Sequence, residues 1–91
     1  MAEFSMRIVA HREFKKQFKK LRSGEKRRFR ERRDLFFENE FHPLLENHPL
    51  EGKYKGYRSI HIGGDLSVVY RRSGPDIVVF AKIGTHSELY S

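Results

Sequence analysis

Two turn signals divide the second half of the chain and leave few folds open to it. Gly63-Gly64 and the run Ser73-Gly74-Pro75-Asp76 supply the positive-φ and fixed-φ positions that tight reversals need. Between and around them lie three runs with strand character, at residues 57–62, 66–71 and 77–83. Consecutive strands joined by short turns pair as antiparallel neighbours, so this stretch reads as a meander. In the first run, alternation puts Tyr57, Ser59 and His61 on one face and Arg58, Ile60 and Ile62 on the other.

Ahead of the meander the period changes. Residues 6–10 read as a short strand, and His11 or Arg12 opens a helix to about residue 21. Phe14, Phe18 and Leu21 form its apolar stripe. Ser23-Gly24 interrupts the pattern, and Ser23 is placed to cap a second helix over about 25–39. Phe29, Arg32, Arg33 and Phe36 share a face of that helix, with Leu35 beside it, and Phe14, Phe18, Phe29 and Phe36 read as core. Residues 41–56, with two Pro and two Gly, read as a connector. The element order is β-α-α-β-β-β.

Ninety-one residues make one domain, here spanning 1–91, with a thin core, because so short a chain buries only about 60–65% of its unfolded surface. Zero cysteines exclude disulfides, Cys-based zinc sites and thiol nucleophiles, and fit a reducing compartment. No run approaches the roughly 18 apolar residues of a membrane span, and the first residues lack the apolar stretch of a signal peptide. These features point to the cytoplasm and to no membrane partner. Met6 reads as a natural start, with residues 1–5 a leader or cloning remnant.

A formal net charge of +7 favours an anionic partner, because Lys and Arg release counterions from a phosphate backbone. Lys26, Arg27, Arg28, Arg30, Arg32 and Arg33 suit RNA phosphates, a docking face for an acidic protein, or simply a solvated helix surface. The sharper signal lies in the meander. Its topology brings His61, Asp65 and His86 to one rim, across a gap of roughly 10 Å between first and third strands. His48 precedes the sheet by a short connector and folds toward the same rim. Histidine titrates near neutral pH, and RNA carries its own nucleophile in the 2′-hydroxyl. A base and an acid then suffice to cleave it without cofactor or metal. Lys53, Lys55, Arg58, Arg71 and Lys82 are the candidate phosphate contacts, although alternation turns Arg58 away from His61. His11 and His42 read as surface or hydrogen-bonded residues. Three His and an Asp also suit a metal, but no pair has the spacing of a helical His-x-x-x-His site.

The residues carry a resemblance beyond spacing. The run from His48-Pro49-Leu50 through Gly52 to Gly56-Tyr57-Arg58, then His61-Ile62, Asp65 and Val69-Tyr70, closes with Gly84-Thr85-His86-Ser87-Glu88-Leu89-Tyr90. This half resembles the YafQ branch of the RelE/ParE toxin superfamily, while the N-terminal half agrees in element order alone. The resemblance implies an α+β fold: a twisted, largely antiparallel sheet with two N-terminal helices packed on it. It implies the toxin of a type II toxin–antitoxin pair, an endonuclease cutting mRNA in the A site of the 70S ribosome and restrained by an acidic antitoxin. The branch's functional positions fall on His48, His61, Asp65, His86 and Tyr90. Tyr90 departs from the Phe common there but keeps the stacking face. The roles implied are His86 as general acid, His48 as base with His61 its rival, Asp65 orienting a histidine or sharing base duty, and Tyr90 stacking on a base. Two other readings stay open: a ParE-like, non-catalytic inhibitor of gyrase or another protein target, and a metal-dependent nuclease.

Overall fold

The computed structural model describes residues 6–90; the reading of residues 1–5 as a leader or remnant lies outside them. The chain runs β1 (Arg7–Ala10), α1 (Arg12–Lys19), α2 (Ser23–Glu38), β2 (His48–Pro49), β3 (Arg58–Gly63), β4 (Leu66–Arg72), β5 (Ile77–Thr85) and α3 (His86–Tyr90). Single 3-10 turns at Pro43–Leu45 and Gly52–Tyr54 flank β2. The five strands form one open sheet in the order β1-β5-β4-β3-β2, with β1 parallel to β5 and all other pairs antiparallel. The α+β class, the meander and the two N-terminal helices are as expected from the sequence. No helix among the described residues is long and apolar enough to cross a membrane.

The structure corrects the element list in three places. The connector is not structureless: His48 and Pro49 pair with Ser59 and Arg58 as a fifth strand. Two residues show no period, and Pro49 lacks the N–H that a central strand would need, which suits it to the edge. The last strand continues to Thr85, and a short helix follows. Thr85 accepts the Glu88 N–H on its Oγ1 at 3.3 Å while the Glu88 carboxylate accepts the Thr85 N–H at 2.7 Å. This reciprocal capping box starts α3. Finally, Ser23 lies inside α2, and Arg22 is the cap residue, its N–H donated to the Glu25 carboxylate at 2.8 Å. His11 and His42 prove to be hydrogen-bonded, each ring nitrogen Nδ1 accepting the N–H two residues on at a helix start.

One sheet face carries the core. Ile60, Ile62, Leu66, Val68, Tyr70, Val78, Phe80 and Ile83 meet Phe14, Phe29, Phe36 and Leu45 from the helices and connector. Phe36, fully buried, sets its ring edge-on to both Tyr70 and Phe80. Burying each such side chain contributes about 1.5–3 kcal/mol, and the edge-on geometry suits the ring quadrupoles. A bulge in the β4–β5 pairing at Val69/Tyr70 lets Tyr70 oppose Phe80 on this face while Val69 opposes Lys82 on the other.

A polar strap fastens the connector to the same face. Glu40 accepts hydrogen bonds from the Tyr70 hydroxyl and from Arg72. Asn47 donates from its amide to the Tyr70 hydroxyl at 2.7 Å and accepts from Arg58 Nε at 2.7 Å. Burial works to raise the Glu40 carboxyl, but the Arg72 and Tyr70 hydrogen bonds and the charges of Arg72 and Arg58 outweigh it and hold Glu40 below the usual carboxylate range. Burial, with the neighbouring Glu40, pushes the Tyr70 hydroxyl up. The strap ends one residue before His48, so it also fixes where that side chain begins.

Candidate active site

The opposite sheet face carries a smaller apolar cluster and the candidate site. A second apolar cluster of Tyr54, Val69 and Leu89, joined by Leu50, Tyr57 and Tyr90, forms its floor. The Tyr54 hydroxyl donates to the Leu89 carbonyl at 2.8 Å, which ties α3 down across the sheet. Beside this floor opens a cavity of about 330 Å³ lined by His48, Leu50, Glu51, Ser59, Asp65, Ser67, His86 and Tyr90. Four of the five residues singled out from the sequence thus share one cavity.

Each reaches it for a local reason. His48 stands on edge strand β2 opposite Ser59. Asp65 sits in the two-residue turn between β3 and β4. His86 and Tyr90 lie four residues apart on α3, so one helix face presents both. Their ring centroids are 4.9 Å apart, and Tyr90 is also edge-on to Tyr54 at 5.6 Å. Gly84 clears the way, because a Cβ there would come within 3.0 Å of the Glu88 carboxylate that caps the helix.

His61 does not line the cavity. It pairs across the sheet with Ser67, which does. Its ring is half-buried, with Nε2 3.9 Å from the Glu46 carboxylate. His48 meets the same residue differently: its Nδ1 is 2.9 Å from the Glu46 backbone oxygen. A carbonyl only accepts, so Nδ1 must carry the proton there. In the neutral ring this leaves the lone pair on Nε2, the form a general base requires.

The candidate phosphate contacts scatter. Lys53 and Lys82 stand over the Tyr54 ring at 5.3 and 5.8 Å, beside Tyr90 but outside the cavity lining. Lys55 is exposed. Arg71 follows Tyr70 on β4 and by alternation projects from the site face. Arg58 belongs to the polar strap, its guanidinium over Phe41 at 5.3 Å, as the alternation of β3 foretold. The cavity itself holds two histidines, two serines and two carboxylates, so positive charge inside it comes from a protonated histidine. Glu51, Ser59 and Ser67 were missed as lining residues. Ser59 lies on the His61 face in the first-strand alternation, and Ser67 follows from pairing that strand across Gly63-Gly64; Glu51 had no such signal. Among the described residues no group of three or more His, Asp or Glu has the geometry to hold a metal ion.

Known proteins share the fold of this chain. The mRNA interferase toxin YafQ of Escherichia coli K12 is 36% identical over 47 residues, which span 52% of this chain and 50% of that protein. The matched segment is thus about half the length of that curated relative. In structure, the E. coli DinJ–YafQ complex aligns over 96% of this chain and 100% of the matched one, with TM-score 0.76 and 22% identity. A YoeB/ParE toxin from Agrobacterium tumefaciens aligns over 89% of this chain, with TM-score 0.76 and 20% identity. At such identities these two likenesses show the shared fold and nothing of the chemistry. The model of one family, described as the bacterial toxin YafQ of type II toxin–antitoxin systems, matches residues 6–91. With the whole described chain inside that match, the protein belongs to the YafQ toxin family.

Proposed function

We propose that this protein is a ribosome-dependent mRNA endonuclease, the toxin of a type II toxin–antitoxin pair. The observation that carries the reading is the meeting of His48, Asp65, His86 and Tyr90 in one open cavity, in a chain of the YafQ family. His48, with Nδ1 held by a carbonyl, takes the proton of the 2′-hydroxyl on Nε2. The freed oxygen attacks the adjacent phosphorus, and the bond to the 5′ oxygen breaks. His86 gives its proton to that leaving oxygen, leaving a 2′,3′-cyclic phosphate and a 5′-hydroxyl end. Each transfer is worth roughly 10²–10⁴-fold. Asp65, on the turn at the cavity wall, orients a histidine and favours its charged form. Tyr90 offers an aromatic face on which a flanking base stacks, holding the phosphate in line.

The ribosome supplies what the cavity lacks. No Lys or Arg lines it, so alignment of the message must come from the A site, with Lys53, Lys55, Lys82 and Arg71 contacting phosphates around it. An acidic antitoxin fits the rest of the surface. The helices and the turn between them expose Lys15, Lys16, Lys19, Lys20, Arg27, Arg28 and Arg30, and the E. coli relative was crystallised with DinJ.

The test is 5′-end mapping of mRNA on programmed ribosomes, with chelator present. Discrete cuts in the A-site codon are expected, with single-turnover cleavage slowed at least about 10²-fold in His86→Ala. Folded protein that leaves the message whole, while gyrase activity falls, would replace this reading with the non-catalytic one.

A further inference from the structure

We propose that Glu46 is a positioning residue for this reaction, one residue that aims both His48 and His61. The inference rests on the proposed cleavage mechanism. Among the described residues Glu46 alone, other than glycines, has a positive φ, at 45° with ψ 44°. That left-handed conformation is disfavoured for a residue with a Cβ and persists where surrounding structure imposes it. The imposing structure is present on both sides. Leu45 before it is fully buried in the main core, and the Glu46 N–H closes the 3-10 turn on Pro43 at 3.2 Å. Asn47 after it is locked in the polar strap by Arg58, Tyr70 and the Glu40 carbonyl.

The backbone reversal has a geometric product. It aims the Glu46 carbonyl at His48 Nδ1, 2.9 Å away, and leaves the side chain facing His61 Nε2 at 3.9 Å. Glu46 itself is largely exposed, its side chain at 69%, so packing does not explain why a glutamate stands where glycine would be easier. The carbonyl fixes the His48 tautomer that leaves Nε2 basic. The carboxylate, 3.9 Å away, is beyond hydrogen-bond reach of the neutral His61 ring and pairs with that ring by charge whenever it is protonated. This is the base-and-orienter logic of catalytic triads, here with one residue orienting two rings.

The two contacts separate by mutation. Glu46→Gly keeps the left-handed backbone and the carbonyl but removes the carboxylate. Glu46→Val disfavours the left-handed backbone through its β-branch. Glu46→Gln keeps size and removes charge. Ring ¹⁵N shifts of His48 and His61 are read in the free protein, first at a pH where both rings are neutral and then at one where both are charged. The same proteins are assayed for single-turnover cleavage on ribosomes. His48 is expected as the Nδ1–H tautomer in wild type, Gly and Gln variants, and as a mixture in the Val variant. The His61 Nε2 shift of the charged ring should differ from wild type in the Gly and Gln variants, which lack its charge partner. Misplacing a base can cost about 10²-fold; the Val variant should lose that much, and the Gly and Gln variants, which keep the His48 contact and disturb only His61 beside the cavity, a few-fold, with KM little changed. Gly or Gln variants whose His61 spectrum and rate match wild type overturn the proposal. So does an unaltered His48 tautomer in a folded Val variant. Wild-type protein that leaves mRNA uncut would sink the cleavage reading instead, while the ring spectra, which need no ribosome, still decide the contacts.

Discussion

Tyr90 shows how much one side chain is asked to do. Its ring lies over His86 and against Tyr54, so it is at once a wall of the cavity, a cover for the small apolar floor and a stacking surface. No hydrogen bond from its hydroxyl is needed for any of these. Tyr90→Phe should therefore cleave within about twofold of wild type, whereas Tyr90→Ala, losing base stacking of about 1–3 kcal/mol, should slow single-turnover cleavage roughly tenfold to a hundredfold. Equal rates for Ala and Phe variants would remove the stacking role. The histidines teach a related lesson about reading residues singly. His11 and His42 carry the same ring as His48 yet spend Nδ1 capping helix starts; what differs is the neighbour, and a sequence does not print neighbours.

At the scale of elements, the capping box between Thr85 and Glu88 decides whether the cavity is complete. A helix of five residues is too short to hold itself by propagation, so α3 depends on its cap and on the Tyr54 hydroxyl at Leu89. Glu88→Ala should cost about 0.5–2 kcal/mol of stability, read by thermal denaturation. It should also slow cleavage more than that loss explains, because His86 and Tyr90 ride on the freed turn. Unchanged cleavage in that variant would mean that α3 is held by packing alone. Thr85-x-x-Glu88 was legible in the sequence as a cap signal and went unread, because strand continuation from Ile83 dominates the local pattern. The meander itself was legible, since Gly63-Gly64 and Ser73-Gly74-Pro75-Asp76 leave little choice. β2 was not legible: two residues carry no period, and only the register His48 to Ser59 reveals that the connector enters the sheet. Arg58 was legible in direction, by alternation, but its partners Asn47 and Phe41 were not.

The whole molecule is held by an aromatic core on one sheet face, a smaller apolar cluster on the other and, at the core's margin, the polar strap of Glu40, Tyr70, Asn47, Arg58 and Arg72. The strap makes stability depend on acid in a defined direction. Glu40 is held below its ordinary value of 4.5 in the folded chain, so its contribution is full above that value. It is lost as pH falls through the lowered folded value. Glu40→Gln should reduce stability at neutral pH by roughly 1–3 kcal/mol and flatten this limb of the pH–stability curve, both read by denaturant melts from pH 7 into the acid range. A variant with the same acid slope as wild type would place the dependence elsewhere. The parallel pairing of β1 with β5, Arg7 beside Ile77, bears on a different matter, the order in which the chain is made. A ribosome delivers β1 first, and its partner β5 only after both helices and the first two strands of the meander have emerged. Until then the earliest strand has no place in the sheet, and His86 and Tyr90 come later still. A protein proposed to cut the message inside ribosomes is thus assembled so that its own synthesis reaches the last described residue before the cavity is complete.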